Sequence, residues 1–497
     1  MRPVGIETEY GVTDPGDAGA NPILLSSLLV TSYREVAGAA TAPWDYGGED
    51  PLNDQRGYRR DRSTAHPDLL TDEPRESTYR RRRGSWEDPA HVNVVLSNGA
   101  RLYVDHAHPE YSGPEVTSAR DAVVWDRAGD VVLRRAAAAL TASGQPVALY
   151  KNNVDGKGAS YGTHENFLVD RAVPFDDLAR RITAHLVTRQ VYTGAGRVGL
   201  GQRGEEPGYQ ISQRADYIEA DIGLETTLRR PIVNTRDEPH ADPNRWRRLH
   251  VIIGDANSMD VPTLLKVGTT SLILAAIEAD DERLDLLELD DPVAAVSAVS
   301  RDLALKAPLR LASGEESTAL GVQRALLEIV RDYSTDASDA AILARWEAVL
   351  ERLGRDPFAC AAEVEWVAKL SLLGRLRQRH GGDDGLLPWD DPRLAAADIQ
   401  WSDIDPARGL CARLAAAGAV ERLVTDEEVD AAVASPPRTT RAWLRGRVVG
   451  SRPDIVDAAG WATVVLDHGA GHHDLEVVPL DDPLATAHPV IDELLSP

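Results

Sequence analysis

The amino-acid sequence predicts an α+β fold, in which a large and mainly antiparallel sheet is backed by helices. Strand-like segments separated by turn signals dominate residues 145–255. Apolar residues three to four positions apart then recur through residues 262–380, which is typical of amphipathic helices. Runs of strands followed by runs of helices indicate the α+β class.

The elements follow in chain order. Residues 1–12 alternate as a strand does, and residues 92–105 hold two short apolar runs around a Ser-Asn-Gly turn, which predicts a β-hairpin. The predicted helices cover residues 22–40, about 118–142, 174–190, 262–280, 295–305, 318–334, 338–353 and 359–380.

A Ser-Pro-Pro break at residues 435–437 predicts two domains. We expect a large domain at 1–430 and a small C-terminal α+β domain at 431–497. Strands are expected in the small domain near 445–450 and 461–466.

Residues 46–91 are predicted to be a long mobile loop inserted into the large domain. This stretch contains Gly, Pro and Asp throughout, many arginines and almost no periodic apolar pattern. Loops of this length usually carry function or are disordered.

Composition excludes several function classes. The net charge of −25 argues against nucleic acid as the main partner, because phosphate binding needs a basic field. No run approaches the ~18 apolar residues of a membrane span, and no signal-peptide pattern opens the chain. We therefore expect a cytoplasmic protein that does not bind a membrane. The two cysteines, Cys360 and Cys411, give neither a disulfide framework nor a zinc spacing.

Two glutamates near the start of the chain, Glu7 and Glu9, fall on the same face of the predicted first strand. Carboxylates roughly 6.6 Å apart along a strand repel each other and resist desolvation. A hard cation between them, such as Mg²⁺, would relieve this repulsion. The alternative is a solvent-facing strand with two unremarkable glutamates.

The second strand of the hairpin also carries several charged or hydrogen-bonding side chains on one face. Arg101, Tyr103 and Asp105 point one way while the alternate residues face a core, and Glu110 follows shortly after. The His-x-His sequence at residues 106–108 has no partner pair at structural-zinc spacing, so zinc is not favoured.

Further candidates lie on later strands. His164 begins an apolar strand, Arg248 and His250 share a face, and Arg214 and Arg236 stand among acidic residues. A hydrogen-bonded core histidine and surface ion pairs are the simpler interpretations. Taken together, however, oxygen ligands and arginines on one sheet face are what a Mg²⁺–nucleotide site needs.

Several long motifs resemble those of the Pup ligase/deamidase family, which acts on the small ubiquitin-like protein Pup. These motifs are residues 5–11, 98–111, 151–155, 160–166 and 234–242. The resemblance runs nearly end to end, and it implies a core shared with carboxylate–amine ligases of the glutamine synthetase type.

Two features resemble the hydrolytic branch of that family: the long insert at 46–91, and the sequence from Tyr103 to Glu110, where ligases typically have one residue more. That branch deamidates the C-terminal glutamine of Pup and cleaves the Pup–lysine isopeptide bond. The resemblance therefore implies ATP and Mg²⁺ as cofactors, Pup and pupylated proteins as partners, and a functional link to the bacterial proteasome.

The family motifs also imply roles for individual residues. The catalytic residue would be Asp105, as nucleophile or as base, and the Pup C-terminal end would be held by Arg214 and Arg236. The magnesium positions would be Glu7, Tyr103, Glu110, His164 and His250, with Glu9 a further candidate. The nucleotide would be bordered by Glu7, Thr8, Glu9, Tyr10, Gly11, Arg101, Ser112, Gly113 and Trp461.

Three other interpretations stay open from the sequence. The first is the ATP-dependent Pup–protein ligase of the same family. The second is a small-molecule carboxylate–amine ligase, which the long insert disfavours. The third is a non-catalytic Pup-binding regulator, which the presence of Asp105, Glu7 and Glu110 disfavours.

Overall fold

The computed structural model describes residues 2–36, 40–66, 69–70, 92–155, 160–199, 204–227, 229–381, 385–469 and 475–496. The strands are β1 Val4–Glu9, β2 Gly11–Thr13, β3 Thr41–Pro43, β4 Asn53–Asp54, β5 Tyr58–Arg59, β6 Asn93–Leu96, β7 Arg101–Asp105, β8 His108–Ser112, β9 Ala148–Tyr150, β10 Thr163–Asp170, β11 Arg197–Gly199, β12 Gly208–Gln210, β13 Ile218–Gly223, β14 Arg230–Asn234, β15 Trp246–Val251, β16 Leu309–Arg310, β17 Glu316–Ser317, β18 Val456–Ala459, β19 Thr463–Asp467 and β20 Leu475–Pro479. The helices are α1 Pro22–Val36, α2 Ala119–Ala142, α3 Phe175–Thr188, α4 Gln190–Thr193, α5 Asp260–Glu278, α6 Pro292–Arg301, α7 Ala319–Val330, α8 Ala337–Arg355, α9 Glu365–His380, α10 Pro392–Trp401, α11 Leu410–Ala416, α12 Asp426–Ala434, α13 Ala442–Ser451 and α14 Pro489–Leu494.

A nine-stranded sheet forms the centre of the protein, with the strand order β13-β14-β15-β10-β1-β8-β7-β6-β3. Strands β13 and β14 are parallel, and all the other neighbours in this sheet are antiparallel. The predicted large, mainly antiparallel sheet is therefore confirmed. Strand β1 lies between β10 and β8, so the N-terminal glutamates stand beside residues from both neighbouring strands.

Helices cover one face of this sheet. The strand side chains that point to this face are either apolar or hydrogen-bonded to polar side chains of the helices. Thr8 of β1 and Tyr10, just after this strand, point into this layer, where the Tyr10 hydroxyl donates to Asp130 of α2 at 2.7 Å. Helix α2 begins behind Ser118, whose side chain accepts a hydrogen bond from the Asp121 N–H. The other face of the sheet is left for polar side chains.

Helix α5 is the most apolar of these helices. Among the described residues it is the one helix long and apolar enough to cross a membrane, and 83% of that stretch is buried within the protein. It packs beside α2, α3, α7 and α8 as a core helix.

The C-terminal residues build a smaller core that continues into the edge of the main sheet. Leu444, Val448 and Val464 pack together with Ala42 and Val95 of β3 and β6. The predicted strand near 461–466 is confirmed as β19. The strand predicted near 445–450 is wrong, because these residues lie in helix α13.

The structure describes residues 46–66 and 69–70 of the predicted insertion. Two short strands, β4 and β5, pair with each other, and Leu52 and Asp54 are each 1% exposed. The N–H of Gln55 donates to the Thr235 carbonyl at 2.8 Å, so the start of the insertion is packed on the chain after β14. The remaining residues of the predicted mobile loop, 67–68 and 71–91, lie outside the described residues.

Candidate active site

The first candidate side chain, Glu7, is held on the polar face of β1 by groups from β10. The Asn166 amide donates to one Glu7 oxygen at 2.8 Å, and His164 Nδ1 lies 3.2 Å from the other. Burial alone would raise the pKa of Glu7, but the His164 hydrogen bond and the positive charge of Arg248 lower it well below the ordinary value. Glu7 is therefore an ionised carboxylate held in a fixed position.

Asn166 also determines which ring nitrogen of His250 carries the proton. Its amide must face Glu7, which only accepts hydrogen bonds, so its carbonyl oxygen faces Arg248 at 3.0 Å and His250 Nδ1 at 2.8 Å. The pKa of His250 is well below its ordinary value, first because of burial and then because of Arg248. A neutral ring that donates through Nδ1 leaves its Nε2 lone pair for a ligand.

Glu9 is anchored on the same face, one step further along β1. It accepts from the Gly162 N–H at 2.7 Å, and its other oxygen lies 3.1 Å from His108 Nδ1. Burial alone would raise the pKa of Glu9, but the bond to His108 and nearby positive charges lower it to about 2. His108 in turn stacks on Tyr161, with ring centroids 4.1 Å apart.

Glu110 joins these carboxylates into one cluster. The strand register places it opposite Glu9 on one side and Tyr103 on the other. Ligand atoms of Glu7, Glu110 and His164 lie within 4.8 Å of one another, as do those of Glu9, Asp105 and Glu110. Five sequence-predicted residues are thus brought together by β1, β7, β8 and β10.

The carboxylates of this cluster carry more negative charge than the neighbouring side chains neutralise. The pKa of Glu110 is raised well above its ordinary value, first by burial and then by the charges of Asp105, Glu7 and Glu9. The pKa of Tyr103 is raised well above its ordinary value too, by burial and by Glu110, so Tyr103 is a neutral phenol hydrogen-bonded to Glu110. A divalent cation with oxygen ligands would relieve this repulsion, so these residues fit Mg²⁺.

Asp105 ends β7 at the edge of this cluster, and its side chain keeps about a quarter of its surface exposed (24%). The next residue, His106, has a positive φ of 53° and places its Nδ1 2.9 Å from an Asp105 oxygen. Asp105 thus stands between buried carboxylates and solvent, where an incoming substrate can reach it.

An open cavity, lined in part by Glu7, adjoins the cluster. The predicted nucleotide residues Ser112, Gly113 and Trp461 line it. Five other polar or charged residues line it without having been assigned to the nucleotide from the sequence: Glu115, Asn166, His240, Arg248 and Arg441. The C-terminal unit therefore supplies part of the wall, through Trp461 and Arg441.

Arg101 stands beside this cavity between aromatic rings. Its guanidinium lies 4.0 Å from the ring centroid of Trp44 and 4.0 Å from that of Tyr103. Trp44 contacts Trp461 edge to face at 5.2 Å. The predicted residues Arg101 and Trp461 are thus connected through Trp44, which sequence reasoning did not select.

The two predicted substrate arginines occupy opposite sides of the cluster. Arg214 is 1% exposed and donates to the Tyr161 carbonyl at 2.8 Å, and no carboxylate lies within ion-pair distance of it in the part of the chain that the structure describes. Burial, and then the charge of Arg230, lower the pKa of Arg214 to about 9. Arg236 lies 3.6 Å from Glu238, which also pairs with Arg248 at 3.2 Å.

The side chains of two predicted cofactor residues face away from the carboxylate cluster. Thr8 and Tyr10 point into the helix layer, where they contact Asp126 and Asp130 of α2. Alternation along the chain separates their side chains from those of Glu7 and Glu9, so only their backbone can border a ligand on the polar face. Gly11 stays near the site, since a Cβ there would lie 2.6 Å from the Tyr161 hydroxyl.

Two residues of the site lie within the family motifs but have no predicted role: Asn166 and His108. Asn166 lies two residues after His164 on β10, and the period-two spacing that selected His164 would have selected it as well. The same spacing on β15 placed Arg248 on one face with His250, and the structure confirms that both lie beside Asn166.

A carboxylate–histidine cluster next to a cavity, on one face of a large antiparallel sheet, defines an enzyme. The family model described as "Pup-ligase protein" matches residues 2–465. The chain belongs to the Pup-ligase family.

Curated relatives from both functional groups of this family resemble the chain. It is 46% identical to a protein named "Depupylase" from Acidothermus cellulolyticus, over 99% of this chain and 96% of that protein. It is also 46% identical to "Pup deamidase/depupylase" from Mycolicibacterium smegmatis, over 100% of this chain and 97% of that protein. A "Pup--protein ligase" from Acidimicrobium ferrooxidans is 40% identical, over 89% of this chain and 95% of that protein.

Solved structures of ligases share the fold. The complex between Pup and its ligase PafA superposes with a TM-score of 0.80 at 32% identity, covering 99% of this chain and 91% of that one. PafA in complex with ADP gives a TM-score of 0.73 at 36% identity, covering 81% and 89%.

Proposed function

We propose that this protein is a Pup deamidase and depupylase, which hydrolyses the C-terminal glutamine amide of Pup to glutamate and cleaves the isopeptide bond between Pup and a substrate lysine. The observation that carries the proposal is the full-length similarity at 46% identity to proteins named for these activities, against 40% for the ligase. The complete carboxylate cluster around Asp105 supports catalysis over mere binding.

Pup and pupylated proteins are the proposed partners, and a nucleotide is the proposed ligand of the cavity beside Glu7. The solved complexes of PafA with Pup and with ADP support both. The cavity fits a nucleotide because Gly5 and Gly113 leave room near Glu7, while Trp461 and Arg441 offer an aromatic face and a cation. Amide hydrolysis runs downhill, so ATP would serve as a cofactor without net consumption.

Mg²⁺ is the proposed metal, held by Glu7, Glu110 and His164, with Tyr103 and His250 beside them and Glu9 a further candidate. Bound there, Mg²⁺ would neutralise the carboxylates and polarise phosphate oxygens. The protein's own contribution is geometric. Asn166 fixes both Glu7 and His250.

Asp105 is the proposed catalytic residue. Its carboxylate either attacks the amide carbonyl directly, giving an anhydride that water then hydrolyses, or takes a proton from the attacking water. In both routes the C–N bond breaks, a C–O bond forms, and the leaving ammonia or lysine amine takes up a proton. Arg214 and Arg236 would orient the negatively charged end of Pup.

Asp105→Asn tests this assignment. Pup ending in glutamine is offered with Mg²⁺ and ATP, ammonia release is measured, and cleavage of a pupylated protein is followed in parallel. We expect the variant to lose both activities while it still binds nucleotide. Retained turnover would contradict the role of Asp105, and ligation of Pup without ammonia release by the wild type would move the protein to the ligase group.

A further inference from the structure

Asp255, just beyond the end of β15, is a buried carboxylate that the proposed chemistry leaves unused. It is 3% exposed and accepts four hydrogen bonds. Three of them come from the segment that carries Arg214: the Ser212 hydroxyl at 2.9 Å, the Gln213 N–H at 2.9 Å and the Arg214 N–H at 3.2 Å. The fourth comes from the Ala195 N–H at 2.9 Å.

The same segment is connected to the polar face of the sheet. The Gln213 side chain accepts from the Asn153 N–H at 2.7 Å, and the Asn153 amide donates to the Tyr161 carbonyl at 3.1 Å. That carbonyl also accepts from Arg214 at 2.8 Å. Next in sequence, the Gly162 N–H donates to Glu9.

Two glycines allow this close arrangement. A Cβ at Gly194 would lie 2.4 Å from the Ile211 carbonyl oxygen, and a Cβ at Gly254 would lie 2.7 Å from a Glu165 oxygen. The segments before Ala195 and before Ser212 therefore pack directly against each other, and the Asp255 carboxylate is the group on which their donors converge.

We infer that Asp255 is a positioning residue: by holding residues 212–214 in one turn, it aims the Arg214 guanidinium at the place where the anionic end of Pup binds. A carboxylate suits this task because it accepts from several N–H and O–H donors at once, whereas an amide turns half of its capacity into donors. The inference rests on the proposed role of Arg214 in substrate binding.

Asp255→Asn tests it. The amide nitrogen of the new asparagine would face backbone N–H donors, which it cannot accept. The turn at residues 212–214 would therefore shift, and the Arg214 guanidinium would move away from the substrate position. We expect KM for Pup ending in glutamine to rise about tenfold or more, with a smaller change in kcat and unchanged nucleotide affinity. Ser212→Ala removes one donor from the same carboxylate and is expected to shift KM in the same direction by less.

Glu365→Gln is the matched control. Glu365 is 1% exposed and likewise accepts several hydrogen bonds, from Asn257, Ser258 N–H, Met259 N–H and Trp401, but none from residues 212–214. The Glu365→Gln substitution should lower the stability of the protein without raising KM for Pup ending in glutamine. A KM rise as large as that of Asp255→Asn would mean that general destabilisation explains the effect and would overturn the inference.

A double-mutant cycle separates this inference from the function it rests on. In an Arg214→Ala background, Asp255→Asn should raise KM no further, since the side chain it aims is gone. Additive effects would overturn the positioning role. An Arg214→Ala variant with unchanged KM would instead refute the substrate-binding role of Arg214 itself.

Discussion

Replacing Glu110 by glutamine should stabilise the metal-free protein, although it removes a central residue of the site. Glu110 is 1% exposed and its carboxylate lies within 4.8 Å of groups on Glu7, Glu9 and Asp105. Burial and these charges raise its pKa, so the folded state binds a proton that the unfolded state releases above the ordinary pKa of 4.5. Folding therefore becomes less favourable as pH rises from 4.5 towards the raised pKa.

The size of the effect follows from this linkage. Each pH unit in that window costs about 1.4 kcal/mol of unfolding free energy. At pH 6, about 1.5 units above the ordinary value, the wild type should be less stable than Glu110→Gln by about 2 kcal/mol, because glutamine is neutral in both states. The neutral histidines, such as His250, act in the opposite direction below pH 6.5, but they are common to both proteins and cancel in the difference.

The assay is urea unfolding of both proteins in a chelator at pH 6 and 7, repeated with Mg²⁺ and nucleotide. Ligand at about 100 times its Kd should stabilise the wild type by about 2.7 kcal/mol, and the variant should lose most of this gain. Glu365→Gln is the control: its carboxylate meets N–H donors and no carboxylates, so the same change should destabilise. A Glu110→Gln protein that is less stable than wild type without metal, or that keeps the full ligand effect, would refute the reasoning.

Two further predictions concern the walls of the site. Gly162→Ala should abolish Mg²⁺-dependent nucleotide binding in a calorimetric titration, because its Cβ would lie 2.2 Å from His164 Nε2 and 2.7 Å from Glu9 Oε1. Gly374→Ala should leave binding intact, because its Cβ would meet no atom of the described residues within 4 Å. Glu115→Gln should lower the free energy of unfolding by about 3–5 kcal/mol in denaturant, because it leaves the buried Arg441 and Arg445 without their carboxylate. The exposed Glu428→Gln should change the free energy of unfolding far less, and equal losses would contradict the special role of Glu115.

Much of the site could be predicted from the sequence, because side chains alternate between the two faces of a single strand. Period-two spacing put Glu7 with Glu9 and Tyr103 with Asp105, and the structure brings them to one face of the sheet. Residues that come together through the pairing of different strands could not be predicted from the sequence. The register that places Glu9 opposite Glu110, and Glu7 opposite His164, is fixed by contacts between distant segments.

Local propensity was misleading at residues 445–450, where only the adjacent Val448 and Val449 favour a strand. In the structure Gly446 of α13 packs against the turn after β6, where a Cβ would lie 2.6 Å from the Ser97 carbonyl oxygen. Arg445 reaches Glu115, the Gly99 carbonyl and the Trp461 carbonyl from that helix. Tertiary contacts thus override the preference of a short segment for strand.

The start of the insertion is part of the framework around Arg236, one of the two proposed substrate arginines, and its neighbour Arg248. Gln55 donates its side-chain amide to the carbonyls of Arg236 and Arg248, at 3.2 Å and 2.9 Å. The N–H of Asp50 donates to Glu238, the carboxylate that pairs with both arginines. Residues 46–66 therefore brace these arginines from the side away from β10. A composition that looked irregular in sequence contributes here through backbone and amide hydrogen bonds, which leave no periodic apolar pattern to detect.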